Sequence, residues 1–489
     1  MAQTSLRAAF VYIIPSLLIP LSGCVSVPEL PNPFANKPKV ESTAAPVVEK
    51  AVVKPEQPAL PAEIQALVDK ANAGDAWSMA ELGDIYRDGR NITKNEKQAF
   101  EWYKKAAEAG SGYGMAKLGD WYFDGKGTTK NLVESTKWYL KGTEFEHNNR
   151  LYCQQEYGVA FLYGYGIDKN ESLAIGYLTP PAQAGKVRAQ AELADAYAAI
   201  NDQANATKWM LAAAEQGNLV SQRYLGNRMR LGIGVKKDVK TGIMWLTKAA
   251  NAGLLDAQTN LGILYRNGEG SDIPKNPALG FYWYMEAAKQ GDKDSQSTVG
   301  IMLHNGEGTS RNYFEAVGWM RKAADQGHAE AQYNLGYAYN QGLGVAQNYT
   351  EAMKWYQKAA DQGYASALGN LGFMYNHGMG VPKDYRKGYD FYTKAAEKGS
   401  TTAMNNIGSM FEDGQYVQQN YAEAARWYLR AAEAGEGRSM RNIANMFENG
   451  NGVPFSPSQA LEWYQKGANA GDELAMERLG KAYEFGQLG

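Results

Sequence analysis

The sequence predicts an all-α solenoid of about eleven two-helix repeats closed by half-repeat caps. Two observations carry this prediction. A Leu-Gly step, or its equivalent, returns along the chain, with its second residue at Gly83, Gly119, Gly158, Ala194, Gly226, Gly262, Gly300, Gly336, Gly372, Gly408, Ala444 and Gly480. The interval is 36 residues at most junctions; it stretches to 39 and shrinks to 32 between Gly119 and Gly226, and is 38 before Gly300. A fixed period in this range marks stacked helical hairpins, which grow in one dimension without one large core. Between these landmarks, apolar residues recur at helical spacing.

The first element is an address. Arg7 sits in a short polar start and is followed by AAFVYIIPSLLIPLSGC. The apolar run is too short for a comfortable membrane span and is interrupted by Pro15 and Pro20, so residues 1–23 read as a secretory signal peptide. Its end, Leu21-Ser22-Gly23-Cys24, resembles the bacterial lipobox. The resemblance implies cleavage before Cys24 and lipidation of its thiol. Val25, rather than Asp, follows and implies sorting to the outer membrane. Each buried CH₂ of an acyl chain contributes roughly 0.8 kcal/mol, so several chains anchor a protein firmly. Residues 24–60 read as a tether, with Pro28, Pro31, Pro33, Pro38, Pro46, Pro55 and Pro58 favouring extended polyproline conformation.

The solenoid is expected over residues 61–489. Pro61 to Gly74 reads as a lone second helix that caps the front. Units follow near 72–110, 111–147, 148–185, 186–217, 218–253, 254–291, 292–327, 328–363, 364–399, 400–435 and 436–471, with a cap helix over 472–489. In the unit from Ala329, residues Ala331, Leu335, Ala338 and Tyr339 give helix A its apolar stripe. Gly336 lies beside that stripe. A glycine there costs about 1 kcal/mol of helix propensity against Ala, so it is expected to permit a close backbone approach. The stretch NQGLGV ends helix A, and Asn348 caps helix B. Ala352, Tyr356, Ala359 and Ala360 form the packing face of helix B. The units near 148–217 depart most, because EYGVAFLYGYGI lacks the leucine and the unit at Leu193-Ala194 has a shortened loop.

The recurring KAADQG, KAAEKG, RAAEAG and KAANAG, paired with LGxxYxxGxGV, resemble Sel-1-like repeats, a branch of the tetratricopeptide-like solenoids. The resemblance covers about residues 72–489. It implies a right-handed superhelix whose A helices line a concave groove.

Chemistry is sparse. The four histidines, His147, His304, His328 and His377, form no metal-ligand spacing, and no phosphate loop, nucleophile elbow or Cys-His pair occurs. The GxG pieces lie at helix ends and read as turns. Cys153 is expected as a half-buried helix residue. With two cysteines in all, the chain is not a disulfide scaffold, unlike the cysteine-rich relatives that bind or hydrolyse β-lactams. A net charge of −2 without a long basic run disfavours nucleic acid as a partner. No enzyme, metal or cofactor is expected.

With each Leu-Gly glycine numbered zero, positions −5, −1, +2 and +3 cluster on one side of a helical wheel, and −3, +1 and +4 on the other. The second set is the expected groove. It holds Arg230, then Ile263 and Arg266, Ile301 and His304, Tyr333, Tyr337 and Asn340, Phe373 and Asn376, and finally Glu412 and Glu448. The order reads basic, then apolar and aromatic, then acidic. Exposed apolar clusters mark interaction sites and aromatic anchors are common hot spots. The alternative is that these rings fill a seam between neighbouring A helices. An asparagine ladder at −2 (Asn260, Asn334, Asn370, Asn406, Asn442) reads as structural hydrogen bonding between repeats.

The resulting expectation is a lipid-anchored, non-catalytic adaptor at the outer membrane, facing the periplasm and binding a protein or peptide in the groove. Competing expectations are an assembly factor for exopolysaccharide or protein export, a surface-displayed host-binding protein, and an enzyme acting on β-lactams or peptidoglycan.

Overall fold

The computed structural model describes residues 60–144 and 147–485. The expected signal peptide, Cys24 and the tether up to residue 59 lie outside them. Among the described residues there are 24 helices, α1–α24, and no strand beyond one bridge between Glu269 and Ile273. Repeat 1 is α2 (Ala76–Asp88) and α3 (Glu96–Glu108), and the alternation of A and B helices continues to repeat 11, α22 (Gly437–Asn449) and α23 (Pro457–Asn469). A lone helix B, α1 (Ala62–Asn72), precedes the array, and a lone helix A, α24 (Glu473–Phe485), follows it. This is the all-α solenoid the period predicts. None of these helices is long and apolar enough to cross a membrane.

Local chemistry sets the helix ends. Every B helix of the eleven repeats starts on Asn, Asp or Ser, whose side chain accepts a backbone N–H three residues on; Asn348 does so from Glu351. Such caps satisfy N–H groups that the helix itself leaves unpaired. The GxG pieces are turns. Gly342 and Gly344 take φ of 72° and 73°, and a Cβ on Gly344 would lie 2.2 Å from the Tyr313 carbonyl oxygen.

In six repeats the Leu-Gly glycine receives a tyrosine ring, and in repeats 3, 5 and 7 it receives Leu178, Leu246 and Met320 instead. Tyr356 is fully buried, and a Cβ on Gly336 would sit 2.7 Å from it; Tyr392 stands in the same way 2.6 Å from a Cβ on Gly372. Helix A and helix B of such a repeat therefore close on each other through a ring laid on bare backbone. In repeat 4 the position is Ala194, and the slimmer Met210 replaces the ring.

A second lock joins repeats. In α16 (Ala329–Gln341), Gln332 donates to the Ala324 carbonyl of the preceding helix, α15 (Tyr313–Asp325), and accepts from Gln362 at the end of its own repeat. Gln190 with Gln216, Gln258 with Gln290, and Gln296 with Gln326 repeat the arrangement. From repeat 9 the same position is Leu368, Met404 and Met440, and the buried core there is apolar.

Repeat 4 has the shortened link, with α8 (Val187–Ala199) joined to α9 (Gln203–Glu215) through Asn201 at φ 63°. Cys153, expected as half-buried, is completely buried in α6 (Arg150–Tyr163) against Gly142. Burial pushes its thiol up to about 12, so it is no nucleophile at neutral pH.

Candidate functional site

Successive A helices touch at α2 with α4 (Gly112–Asp124), α4 with α6, α6 with α8 and α22 with α24, and among the described residues no pair of successive B helices makes a comparable contact. The A helices therefore line the inner face. Its middle is formed by α12 (Leu255–Asn267), α14 (Lys293–Asn305), α16 and α18 (Ala365–His377).

The structure divides the −3, +1, +4 stripe. Position +1 is open: Ile263 is 48%, Tyr337 38% and Phe373 44% exposed. Ile301 is half-buried against the core. Positions −3 and +4 sit in the seam between neighbouring A helices. Tyr333 packs its ring against Tyr356 and Tyr364, with centroids 5.7 and 5.2 Å away. His304 lies edge-on to Tyr313, and burial, helped by Arg311, holds its pKa below the usual imidazole range. Asn340 has a buried side-chain oxygen without a hydrogen-bond partner. Asn376 is buried and donates to the Met410 sulfur at 3.5 Å.

The charged residues at +4 are engaged as well. Arg230 pairs with Glu269, and Arg266 forms a two-pronged bond to Glu307 at 3.0 and 2.8 Å. Each carboxylate comes from the loop of the following repeat. Glu412 accepts from Tyr428 at 2.6 Å, and Glu448 accepts from Tyr464 at 2.6 Å and from Arg478. Arg230, Arg266 and Glu448 thus hold neighbouring repeats together through ion pairs, whereas Glu412 is held by a hydroxyl of its own repeat.

The expected basic stretch, Arg230 and Arg266, lies in repeats 5 and 6, and the first repeats are mixed in charge. Their inner face carries Asp84, Asp120, Glu156, Glu192 and Asp195 against Arg87, Lys117 and Arg188. Asp84 accepts from Tyr103 at 2.7 Å and from Tyr113 and Arg87. Asp120 accepts from Tyr139 at 2.9 Å and Tyr152 at 2.7 Å. Glu156 accepts from Arg188 at 2.6 Å, yet burial and the nearby Asp120 raise its pKa above the usual carboxylate range. A cleft of about 410 Å³ lies here, lined by Lys117, Asp120, Phe123, Tyr152 and Glu156.

The asparagine ladder is half-buried at the edge of the open face. Asn442 donates to Asn405 of the preceding repeat at 2.9 Å, and Asn370 lies beside the hydroxyls of Tyr333 and Tyr356. Asn260 and Asn334 have no side-chain hydrogen-bond partner among the described residues. Among the described residues, no group of three His, Cys, Asp or Glu side chains could hold a metal ion.

The Sel1 repeat family model matches residues 78–111, 112–144, 151–185, 187–218, 219–254, 255–292, 294–328, 329–364, 365–400, 401–436, 437–472 and 474–489. Among solved structures the chain is similar to c5321, a protective antigen present in uropathogenic Escherichia coli strains and displaying an SLR fold. Identity is 29% over 87% of this chain and 92% of that one, with a TM-score of 0.68. A Sel1 repeat protein from Oxalobacter formigenes matches at 28% identity over 63% of this chain and 89% of that one, with a TM-score of 0.55.

Proposed function

The chain belongs to the Sel1 repeat family, whose solenoids are generally protein-interaction scaffolds, and from that premise we propose a non-catalytic adaptor that holds a protein partner against the inner face of repeats 6–9. The observation that carries this reading is the run of open apolar side chains Ile263, Tyr337 and Phe373 on successive or near-successive A helices. Large apolar groups in water favour a covering partner, and aromatic anchors concentrate binding energy. The proposal includes a lipid anchor at Cys24 and an outer-membrane protein facing the periplasm, supported by the lipobox resemblance and by Val25.

The test compares two baits in pull-downs from detergent-solubilised envelopes. One is the wild-type chain, the other carries Ile263→Ser, Tyr337→Ser and Phe373→Ser. A protein captured by the first and lost by the second, at unchanged helicity, supports the groove. Equal capture by both removes it. Incorporation of an alkyne fatty acid in wild type but not in Cys24→Ala tests the anchor. The likeness to a protective antigen favours a second reading, display on the cell surface. Protease shaving of intact cells separates the two orientations.

A further inference from the structure

On the inner face of repeats 6–8 the apolar row has an acidic neighbour. Asp256, Asp294 and Glu330 are the second residues of α12, α14 and α16. Each stands seven residues before Ile263, Ile301 or Tyr337, two turns along the same side of its helix. Contacts between A helices agree with this placement. Asp256 faces Arg223 of α10 (Leu219–Leu231) at 3.6 Å, Asp294 faces His328, the cap of α16, at 3.3 Å, and Glu330 lies near Tyr364, the cap of α18. The carboxylates stay open to solvent all the same, with the side chains of Asp256 and Asp294 64% and 74% exposed. Glu330 is exposed and has no hydrogen bond or ion pair among the described residues.

Helix chemistry alone does not call for these acids. A carboxylate suits the first turn of any helix, yet the same position is Val220 in repeat 5, Ser366 in repeat 9 and Thr402 in repeat 10. On the opposite flank of the apolar row the carboxylates of Glu269 and Glu307 are already held by Arg230 and Arg266. The face is therefore asymmetric: open acid, then apolar, then paired charge. Between the acids and the apolar groups, polar side chains are partly engaged. Thr298 bonds the Asp294 carbonyl at 2.9 Å, and Asn370 lies beside Tyr333 and Tyr356. Such a face reads a ligand's side chains and offers little to its backbone. An α-helix is the ligand that suits it, because its peptide groups are bonded internally.

Resting on the groove reading above, we propose that repeats 6–9 hold an amphipathic α-helix of a protein partner that carries lysine or arginine along one flank of its apolar side. Ile263, Tyr337 and Phe373 receive its apolar side chains. Asp256, Asp294 and Glu330 meet its cations and set the rotation of the helix about its axis.

The experiment uses fluorescence polarisation with the full chain and three labelled helical peptides of about 18 residues, five turns each. All share one leucine face and carry lysine, glutamine or glutamate along its flank. The lysine peptide is expected to bind saturably and about tenfold more tightly than the glutamine peptide, with the glutamate peptide weakest. Asp256→Asn, Asp294→Asn and Glu330→Gln together lower the lysine peptide's affinity about tenfold, flatten its salt dependence and leave the glutamine peptide's affinity unchanged. Equivalent changes at the last residues of three B helices, Asp325→Asn, Asp361→Asn and Glu397→Gln, alter none of these. Should the first set melt early, serine, which repeat 9 carries at this position as Ser366, replaces the amides. Equal affinity of the three peptides, no saturable binding of the lysine peptide, or equal behaviour of the two variant sets overturns the inference. Envelope capture that depends on Ile263, Tyr337 and Phe373 alongside any of those results leaves the groove standing and removes only its proposed ligand. Capture that survives their replacement removes both.

Discussion

The inner faces of repeats 1–4 and of repeats 6–9 use the same helix positions and come to opposite results. In the first stretch polar groups satisfy one another. Asp84 and Asp120 each collect tyrosine hydroxyls from neighbouring helices, and Glu156 holds Arg188. In the second stretch charge is drawn into the seam by Arg266 with Glu307, and the open positions keep Ile263, Tyr337 and Phe373. The difference lies in whether a group has an internal partner, and the proposed binding row falls where it has none. A groove lined with charges can be self-contained, and a plainer one can be available.

Three measurements break or sharpen this contrast. The largest effect is expected from Asp120→Ala, which strands the buried hydroxyl of Tyr139 and frees that of Tyr152. An unsatisfied buried group costs about 1–3 kcal/mol. Because a solenoid unfolds locally, the loss should appear as faster amide exchange in α4 to α6 with partner capture intact. A loss of capture would place the interaction in the first repeats instead. Arg266→Ala should cost less, about 0.5–1 kcal/mol, because both members of its pair are partly open to solvent. Its signature is faster exchange at the junction of repeats 6 and 7 alone.

The smallest effect is a pH response of opposite sign in the two stretches. Glu156 has its pKa raised by burial and by Asp120, so the folded chain takes that proton more readily than the unfolded chain. Stability is therefore gained as pH falls from neutrality through the raised value, and the gain is complete below the unfolded value near 4.5. Glu307 is held low by its bond to Arg266, so its contribution is present above 4.5 and lost as pH falls through the lowered value. Exchange protection, corrected for the intrinsic rate, should rise in α6 between pH 7 and 5 and stay level in α14. Equal slopes in both would contradict the assignment.

The period, the asparagine caps, the GxG turns and the two lone end helices were all legible, because each depends on neighbours a few residues away. The seam was not. A helical wheel treats α16 as an isolated rod, so Tyr333 and Asn340 share a face with Tyr337, yet Tyr356 and Tyr364 cover Tyr333 and the side-chain oxygen of Asn340 is buried. The charge pattern misled for a similar reason. Arg230 and Arg266 meet carboxylates 39 and 41 residues later, in loops that a position-by-position reading of A helices passes over. The Gly336 reading foresaw close approach but not that Tyr356 of the same repeat supplies the ring.

The glutamine lock has a consequence for how such an array can lengthen. Both glutamines of a pair belong to one repeat, Gln332 and Gln362 for instance, while the bond to the preceding repeat asks only for a backbone carbonyl. A block copied from helix A through helix B carries its own mate and can follow any predecessor. A breakpoint between the two helices divides the pair. Gln154 and Gln222 show the outcome: their repeats end on Ala184 and Ala252 in place of glutamine, and their side-chain oxygens are buried without a partner. Residues 329–364 are thus a portable cassette, whereas an equally long piece starting at helix B is not.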